Sequence, residues 1–266
     1  MQNKNEIRNA VRERYHQLAE NSSAIAGGCC SPESSSCCKP QGEIDLQALK
    51  LGYSADDLTV VPEGANLGLG CGNPQAIAML KAGETVVDLG SGAGFDVFLA
   101  ARQVGETGQV IGVDMTPSMI NKARANAEKI NLQQVEFRLG EIENLPVAND
   151  LADVIISNCV INLSPEKPKV FREAFRVLKQ GGRLAVSDVV ALQELPAHIK
   201  ADMALYSGCI SGASTIPELT EMLTEAGFTG ILIQPKDESK DVIRDWDVNN
   251  SITDYIISAS IEAVKP

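Results

Sequence analysis

Apolar positions change their period along this chain, and each change marks an element. Within residues 2–20, Ile7, Ala10, Val11, Tyr15, Leu18 and Ala19 recur at helical spacing and predict an amphipathic helix. Residues 21–43 lose that period and are rich in Ser, Gly, Pro and Cys, the composition of a loop. A short helix is expected over 46–53, ended by Gly52, and GANLGLGCGNP at 64–74 reads as a second glycine-rich loop. From Thr85 the pattern becomes regular. Short apolar runs at 85–89, 109–114, 135–139, 152–157 and 183–188 predict buried strands. Helical stretches lie between them: 95–104, a helix opened by Thr116 and Pro117 and running to about Ile130, and 167–178 closed by Gly181 and Gly182. Strands alternating with helices require crossover connections, so the sheet is expected to be mostly parallel with helices on both faces. After Asp188 come a helical region at 196–206, the loop YSGCISGAS at 206–214, a helix from Pro217 to Gly227, and strands near 229–234 and 254–264. The expected α/β core covers 75–266, preceded by an extension, 1–74.

Charge and composition narrow the function. With 35 acidic against 23 basic residues, the net charge of −12 repels phosphate backbones and acidic membrane surfaces, so no nucleic-acid or membrane partner is expected. No apolar run approaches the roughly 18 residues of a membrane span. The first twenty residues carry charges throughout and lack the apolar stretch of a signal peptide, which points to a cytoplasmic protein. There are 7 cysteines, an odd number, and in that compartment thiols serve as ligands, nucleophiles, redox groups or small buried hydrophobes rather than as a disulfide framework.

The most informative stretch is VVDLGSGAGFD. A strand carries Asp88, and Gly90, Gly92 and Gly94 make the turn into a helix, where missing Cβ atoms let the backbone approach a ligand. Asp114 closes the next strand, where a carboxylate can accept bonds from ribose hydroxyls. A pyrophosphate-binding turn would read G-x-G-x-x-G. Here the spacing is G-x-G-x-G, and Asp88 would repel a pyrophosphate but favour a cationic amino-acid ligand. The pattern resembles the class I S-adenosylmethionine-dependent methyltransferases, whose Rossmann-like seven-stranded sheet this order of elements fits. That resemblance implies that Gly90, Ser91 and Gly92 cradle the methionine moiety, that Asp114 takes the ribose, and that Met115 packs near the adenine. In LGEIENLP it implies that Ile142 and Glu143 lie against the base, and Asn158, just beyond the fourth strand, would face the transferred methyl.

Ligands of open α/β sheets sit outside the carboxyl ends of the strands. Cys159 falls at that edge, Cys209 in the loop after the fifth strand, and Cys71 in the glycine-flanked loop before the core. Carbon, nitrogen or oxygen acceptors would call for a general base, yet the chain has only His16 and His198, neither near a strand end. Soft thiolates select soft centres. Trivalent arsenic held by three sulfurs keeps a lone pair that attacks the methyl carbon without a base. Around the glycine motif, LGLGCGNP, SNCVINL and YSGCISGA resemble the arsenite S-adenosylmethionine methyltransferases over about residues 45–235.

That resemblance implies that Cys71, Cys159 and Cys209 bind As(III), with arsenite and methylarsenite as substrates. It also implies detoxification as the role, and an external thiol such as thioredoxin or glutathione as reductant. Cys29, Cys30, Cys37 and Cys38 could capture arsenite, shuttle disulfides or bind zinc. Two rival readings stand beside this one: a small-molecule C- or O-methyltransferase of the quinone-pathway type, and a non-catalytic metalloid-binding protein.

Overall fold

The computed structural model describes residues 3–24, 41–244 and 252–266. Cys29, Cys30, Cys37 and Cys38 lie outside the described residues. The chain opens with α1 (Lys4–Ala24), α2 (Gln41–Lys50), α3 (Ala55–Val60) and α4 (Gln75–Ala78). It then alternates β1 (Thr85–Leu89), α5 (Phe95–Val104), β2 (Gln109–Asp114), α6 (Pro117–Ile130), β3 (Val135–Leu139), β4 (Ala152–Asn158), α7 (Lys167–Val177) and β5 (Leu178–Ala191). The short helices α8 (Ala197–Ala201) and α9 (Met203–Ser207) precede α10 (Ile216–Ala226), β6 (Thr229–Pro235), α11 (Lys240–Arg244) and β7 (Ile256–Val264).

The strands form one seven-stranded sheet in the order β3-β2-β1-β4-β5-β7-β6. Pairing is parallel from β3 through β5 and antiparallel for β5 with β7 and β7 with β6. This is a Rossmann-like class I methyltransferase fold. Alternate residues of each strand point to opposite faces. Val87, Leu89, Ile155, Leu184 and Val186 pack under α7 and α10, whereas Val86, Val110, Val154, Ile156 and Ala185 pack under α5 and α6. Burial on both faces explains why the strands read as continuous apolar runs. The register sets Asp88 opposite Gly112 and Ile156, and Asn158 opposite Ser187, which brings the chemistry to one sheet edge.

A third apolar cluster caps that edge. Ile7 and Val11 of α1 pack with Cys71, Cys159, Cys209, Leu163 and Tyr206. Among the described residues, no helix is long and apolar enough to cross a membrane.

Some boundaries differ from expectation for identifiable reasons. Residues 41–43 are not loop but the first turn of α2, where Glu43 suits the positive end of the helix dipole. The 167–178 helix is not closed by glycines. It ends at Val177, Leu178 is extended, and Gly181 and Gly182 lie inside β5. Gly181, at φ +76°, takes up a register shift between β4 and β5. The helical region at 196–206 splits because Asp202 is extended and its carboxylate caps α9, accepting from the Ala204 and Leu205 N–H groups. Asn158 is the last residue of β4 rather than beyond it.

Candidate active site

One end of the cavity is built from the turn between β1 and α5. Gly90, Gly92 and Gly94 all have left-handed backbone, with φ of +70°, +52° and +97°. A Cβ at Gly90 would collide with Val160, and one at Gly94 would lie 2.8 Å from the Phe98 ring. At Gly92 a Cβ would meet no protein atom within 4 Å, because that glycine faces a cavity. Its N–H donates to Asp114 Oδ2 at 3.0 Å, and the Thr116 N–H donates to Oδ1 at 2.8 Å, so the carboxylate is fixed from both sides. Ser91 Oγ is buried and has no hydrogen-bond partner.

Three buried carboxylates, Asp88, Asp96 and Asp114, line the same cavity. Burial pushes Asp88 well above the usual carboxylate range, and the charges of Asp96 and Asp114 push it further. Burial also raises Asp96, against hydrogen bonds from Asn158, Tyr53 and Gln75 that lower it. Asp114 is raised by burial, with the Thr116 and Gly92 N–H groups opposing. Among the described residues, neither Asp88 nor Asp96 has a cationic partner. A cation entering here would favour the ionised carboxylates.

The cavity collects the residues singled out from sequence. Asp88, Gly90, Ser91, Gly92, Asp114, Met115, Ile142, Glu143, Asn158 and Cys159 all line it. Gly94 stands behind the turn as the N-cap of α5 and does not. Glu143 is buried and accepts from Ser164 Oγ at 2.7 Å and from Arg8 at 3.2 Å. Arg8, on α1, also pairs with Glu141 and Glu166, and it lines the cavity beside Val11 and Tyr15.

The thiols come from three separated segments. Cys71 and Cys159 are joined in a disulfide, with Cα atoms 5.7 Å apart. Cys209 is free and buried, and its thiol donates to the Cys159 carbonyl. Burial pushes that thiol well up, as does the nearby Asp188 charge. Cys159 and Cys209 both adopt left-handed backbone, with φ of 58° and 67°. For a side chain with a Cβ this costs about 1–2 kcal/mol, a strain that packing must offset.

Behind the thiols stand two charged residues, Asp188 and Lys167, that sequence reasoning missed. A carboxylate oxygen of Asp188 lies within 4.8 Å of both Cys71 and Cys159 sulfurs. Asp188 accepts from the Ile161 and Val189 N–H groups and from the Asn162 amide, yet burial still lifts it to about 6. Lys167, half-buried nearby and bonded to the Gly212 carbonyl, is lowered to about 8 by desolvation. The one available signal was an acid closing the apolar run RLAVSD, although β5 continues past it to Ala191. Arg8, Tyr53 and Asp96 were missed as well.

A family model described as a methyltransferase domain matches residues 80–227. An arsenite methyltransferase of Halobacterium salinarum is 52% identical over 263 residues, which cover 98% of this chain and 67% of that protein. An arsenite methyltransferase of Aquipseudomonas alcaligenes is 37% identical, over 83% of this chain and 61% of its own length. The chain therefore spans about two thirds of these relatives. A crystal structure of an arsenic(III) S-adenosylmethionine methyltransferase from Chlamydomonas reinhardtii superposes with a TM-score of 0.61 at 31% identity, over 83% of this chain and 72% of that one.

Proposed function

The chain belongs to the arsenite methyltransferase family, and from that premise we propose that it moves a methyl group from S-adenosylmethionine to thiol-bound trivalent arsenic. One observation carries this reading: Cys71 and Cys159 meet at the sheet edge beside the donor cavity, with the Cys209 thiol bonded to the Cys159 carbonyl. The cavity also suits the donor. An orphaned Ser91 hydroxyl, an open face at Gly92 and buried carboxylates without cationic partners among the described residues fit a polar, cationic ligand.

In this reading Gly90, Ser91 and Gly92, with Gly94 fixing the turn, hold the methionine moiety, and Asp114 holds the ribose. Met115, Ile142 and Glu143 flank the adenine, and Asp88 and Asn158 face the reacting end. When bound, S-adenosylmethionine supplies a sulfonium-activated methyl group to the arsenic lone pair and leaves as a thioether. The chain's own task is to bind, orient and shield the arsenic. Within residues 1–74, α1 and the Cys71 loop act as the cover of the 75–266 domain, because they close the sheet edge.

Before arsenic can bind, the Cys71–Cys159 disulfide must take two electrons and two protons. An external thiol of the thioredoxin or glutathione class supplies them and becomes a disulfide itself. Three thiols then condense with arsenous acid: three As–S bonds form, three As–O bonds break, and each thiol proton leaves in water. Giving its lone pair to carbon oxidises arsenic by two electrons. Two thiolates return those electrons by leaving as a disulfide, while water fills the vacated position on arsenic as hydroxide and releases a proton; Cys71 with Cys159 is such a pair. This need for reduced thiols favours a cytoplasmic setting and a role in arsenic detoxification. Methylarsenite is the second substrate.

A quinone-type methyltransferase is less well supported, since it gives no role to the three cysteines gathered at the sheet edge. The test supplies reduced protein with methyl-labelled donor and arsenite, then separates the products by chromatography. Label is expected in methylated arsenicals. Cofactor-competent, reduced protein that leaves arsenite unlabelled would sink the reading.

A further inference from the structure

Resting on the reading above, we propose that Asn158 is a positioning residue that couples occupancy of the donor cavity to the placement of Cys71. Its side chain stands in the cavity wall and reaches both sites at once. Oδ1 accepts the Cys71 N–H at 3.1 Å, and Nδ2 donates to the Gly72 carbonyl at 2.9 Å, so one amide brackets the cysteine. The same Nδ2 lies 3.2 Å from Asp96 Oδ2 and 3.0 Å from the Tyr53 hydroxyl, which itself donates to Asp96 at 2.9 Å.

An amide nitrogen has two protons, and three acceptors surround this one. How those protons are shared therefore depends on the state of Asp96. A cation held against Asp88 and Asp96 keeps that carboxylate ionised and acceptor-only, and charge-assisted hydrogen bonds are the stronger ones. Nδ2 is then drawn to Asp96, which leaves Oδ1 aimed at the Cys71 N–H. Free binding energy shared this way is reciprocal: the donor steadies Cys71 for arsenic, and arsenic on Cys71 steadies the donor.

The sequence around Cys71 fits the same contact. A Cβ at Gly70 would stand 2.8 Å from Asn158 Nδ2 and 3.1 Å from Oδ1, although Gly70 does not have left-handed backbone. Glycine is needed there because the Asn158 amide lies against the chain. On the other side of the cysteine, a Cβ at Gly72 would lie 2.8 Å from Ser187 Cβ. The two glycines let Cys71 sit between Asn158 and β5.

The experiment reads thiol reactivity, which needs neither turnover nor arsenic. In reduced protein, alkylation of Cys71 and Cys209 by iodoacetamide is followed by mass spectrometry, with and without S-adenosylhomocysteine. That product keeps the ammonium group and cannot transfer a methyl. In the wild type it is expected to change the Cys71 rate by about fivefold or more while Cys209 is unaffected. Asn158→Ala is expected to reduce the response to under about twofold, at a site the product still fills.

Gly70→Ala leaves Asn158 in place but pushes its amide aside, so it is expected to lose the response as well. Adding Gly70→Ala to Asn158→Ala is expected to have little further effect. A folded, product-binding Asn158→Ala with the wild-type response overturns the proposal. So does Gly70→Ala with an unchanged response, should Asn158→Ala not fold. Failure of arsenite labelling in the earlier test would overturn the arsenic reading alone.

Discussion

The donor and acceptor ends of the site meet at one sheet edge but are built in opposite ways. At the donor end, one continuous turn supplies Gly90, Ser91, Gly92 and Asp96, and the neighbouring strand end supplies Asp114. The hydrogen bonds that fix Asp114 come from residues close in space by virtue of β1–β2 pairing. At the acceptor end, the disulfide partners are 88 residues apart, and Cys209 reaches the Cys159 carbonyl from 50 residues away. Local chain geometry builds the first end. Tertiary packing builds the second, and it holds two cysteines in left-handed backbone while doing so. The donor end is thus expected to keep its function when the acceptor end is damaged, but not to rescue it.

The largest separation of the two ends comes from the thiols. Inorganic As(III) offers three ligand positions, whereas methylarsenite offers two to sulfur. Once the Cys71–Cys159 disulfide has been reduced again, Cys159 and Cys209, both in the core domain, are the pair expected to bind methylarsenite, with Cys71 on the covering loop left free. Cys159→Ser and Cys209→Ser are expected to lose methylation of both substrates, and Cys71→Ser only that of arsenite. Donor affinity by calorimetry stays near wild type in all three. Chromatography of products from each substrate decides it: a folded, donor-competent Cys71→Ser that fails on methylarsenite ends this division of labour.

Next in size is a change confined to the donor end. Asp114→Ala removes a carboxylate poised at the cavity, and a hydrogen bond to a charged acceptor contributes about 1.5–3 kcal/mol. Donor affinity is expected to fall by roughly ten- to hundredfold, with arsenite binding to the reduced protein nearly intact. Unchanged calorimetric affinity would remove Asp114 from the ribose.

The contrast also explains what could be read before any coordinates. The glycine turn, Asp114 and the seven strands follow from local period and spacing, the central strands because burial on both faces makes them read as apolar runs. The Ile142–Glu143 segment, by contrast, came only through the family resemblance. What stayed hidden depends on distant partners. Arg8 meets Glu143 across 135 residues, and Tyr53 meets Asp96 across 43. Nothing near Arg8 marks it as part of a cavity wall. The break at Asp202 was missed because a cap and a mid-helix aspartate look alike until backbone dihedrals are known. Cys209 was legible as a thiol in a glycine-flanked loop, but its left-handed backbone was not.

A smaller effect probes the charges behind the thiols. Burial raises Asp188 to about 6, from an ordinary value of 3.8. The folded chain holds this proton more tightly than the unfolded chain does. Its contribution to stability is therefore full below about pH 4 and is lost as pH rises through about 6. The loss is on the order of 2–3 kcal/mol. Asp188→Asn cannot titrate, so the difference in unfolding free energy between wild type and variant is expected to shift against the wild type across that window. A difference that stays flat from pH 4 to 7 in urea titrations would mean that Asp188 is not shifted.

The smallest effect concerns α1, where the two ends share a cover. Arg8 crosses from the helix to Glu143, Glu141 and Glu166, and so ties the cover to the wall of the donor cavity. The Glu141 and Glu166 pairs are partly exposed and contribute little each, and salt weakens them as the Debye length shrinks from about 10 Å at 0.1 M to 3 Å at 1 M. Arg8→Met keeps the apolar stem and removes the charge. Glu143 retains Ser164, and Glu166 retains Lys4, so the fold is expected to persist. Release of S-adenosylhomocysteine, followed by stopped flow, is expected to quicken by about threefold at low salt. In the wild type, salt should bring the rate up toward that of the variant, while the variant itself responds less. If both proteins release the product at one rate and with one salt dependence, α1 is a passive cover and its ion pairs play no part in holding the donor.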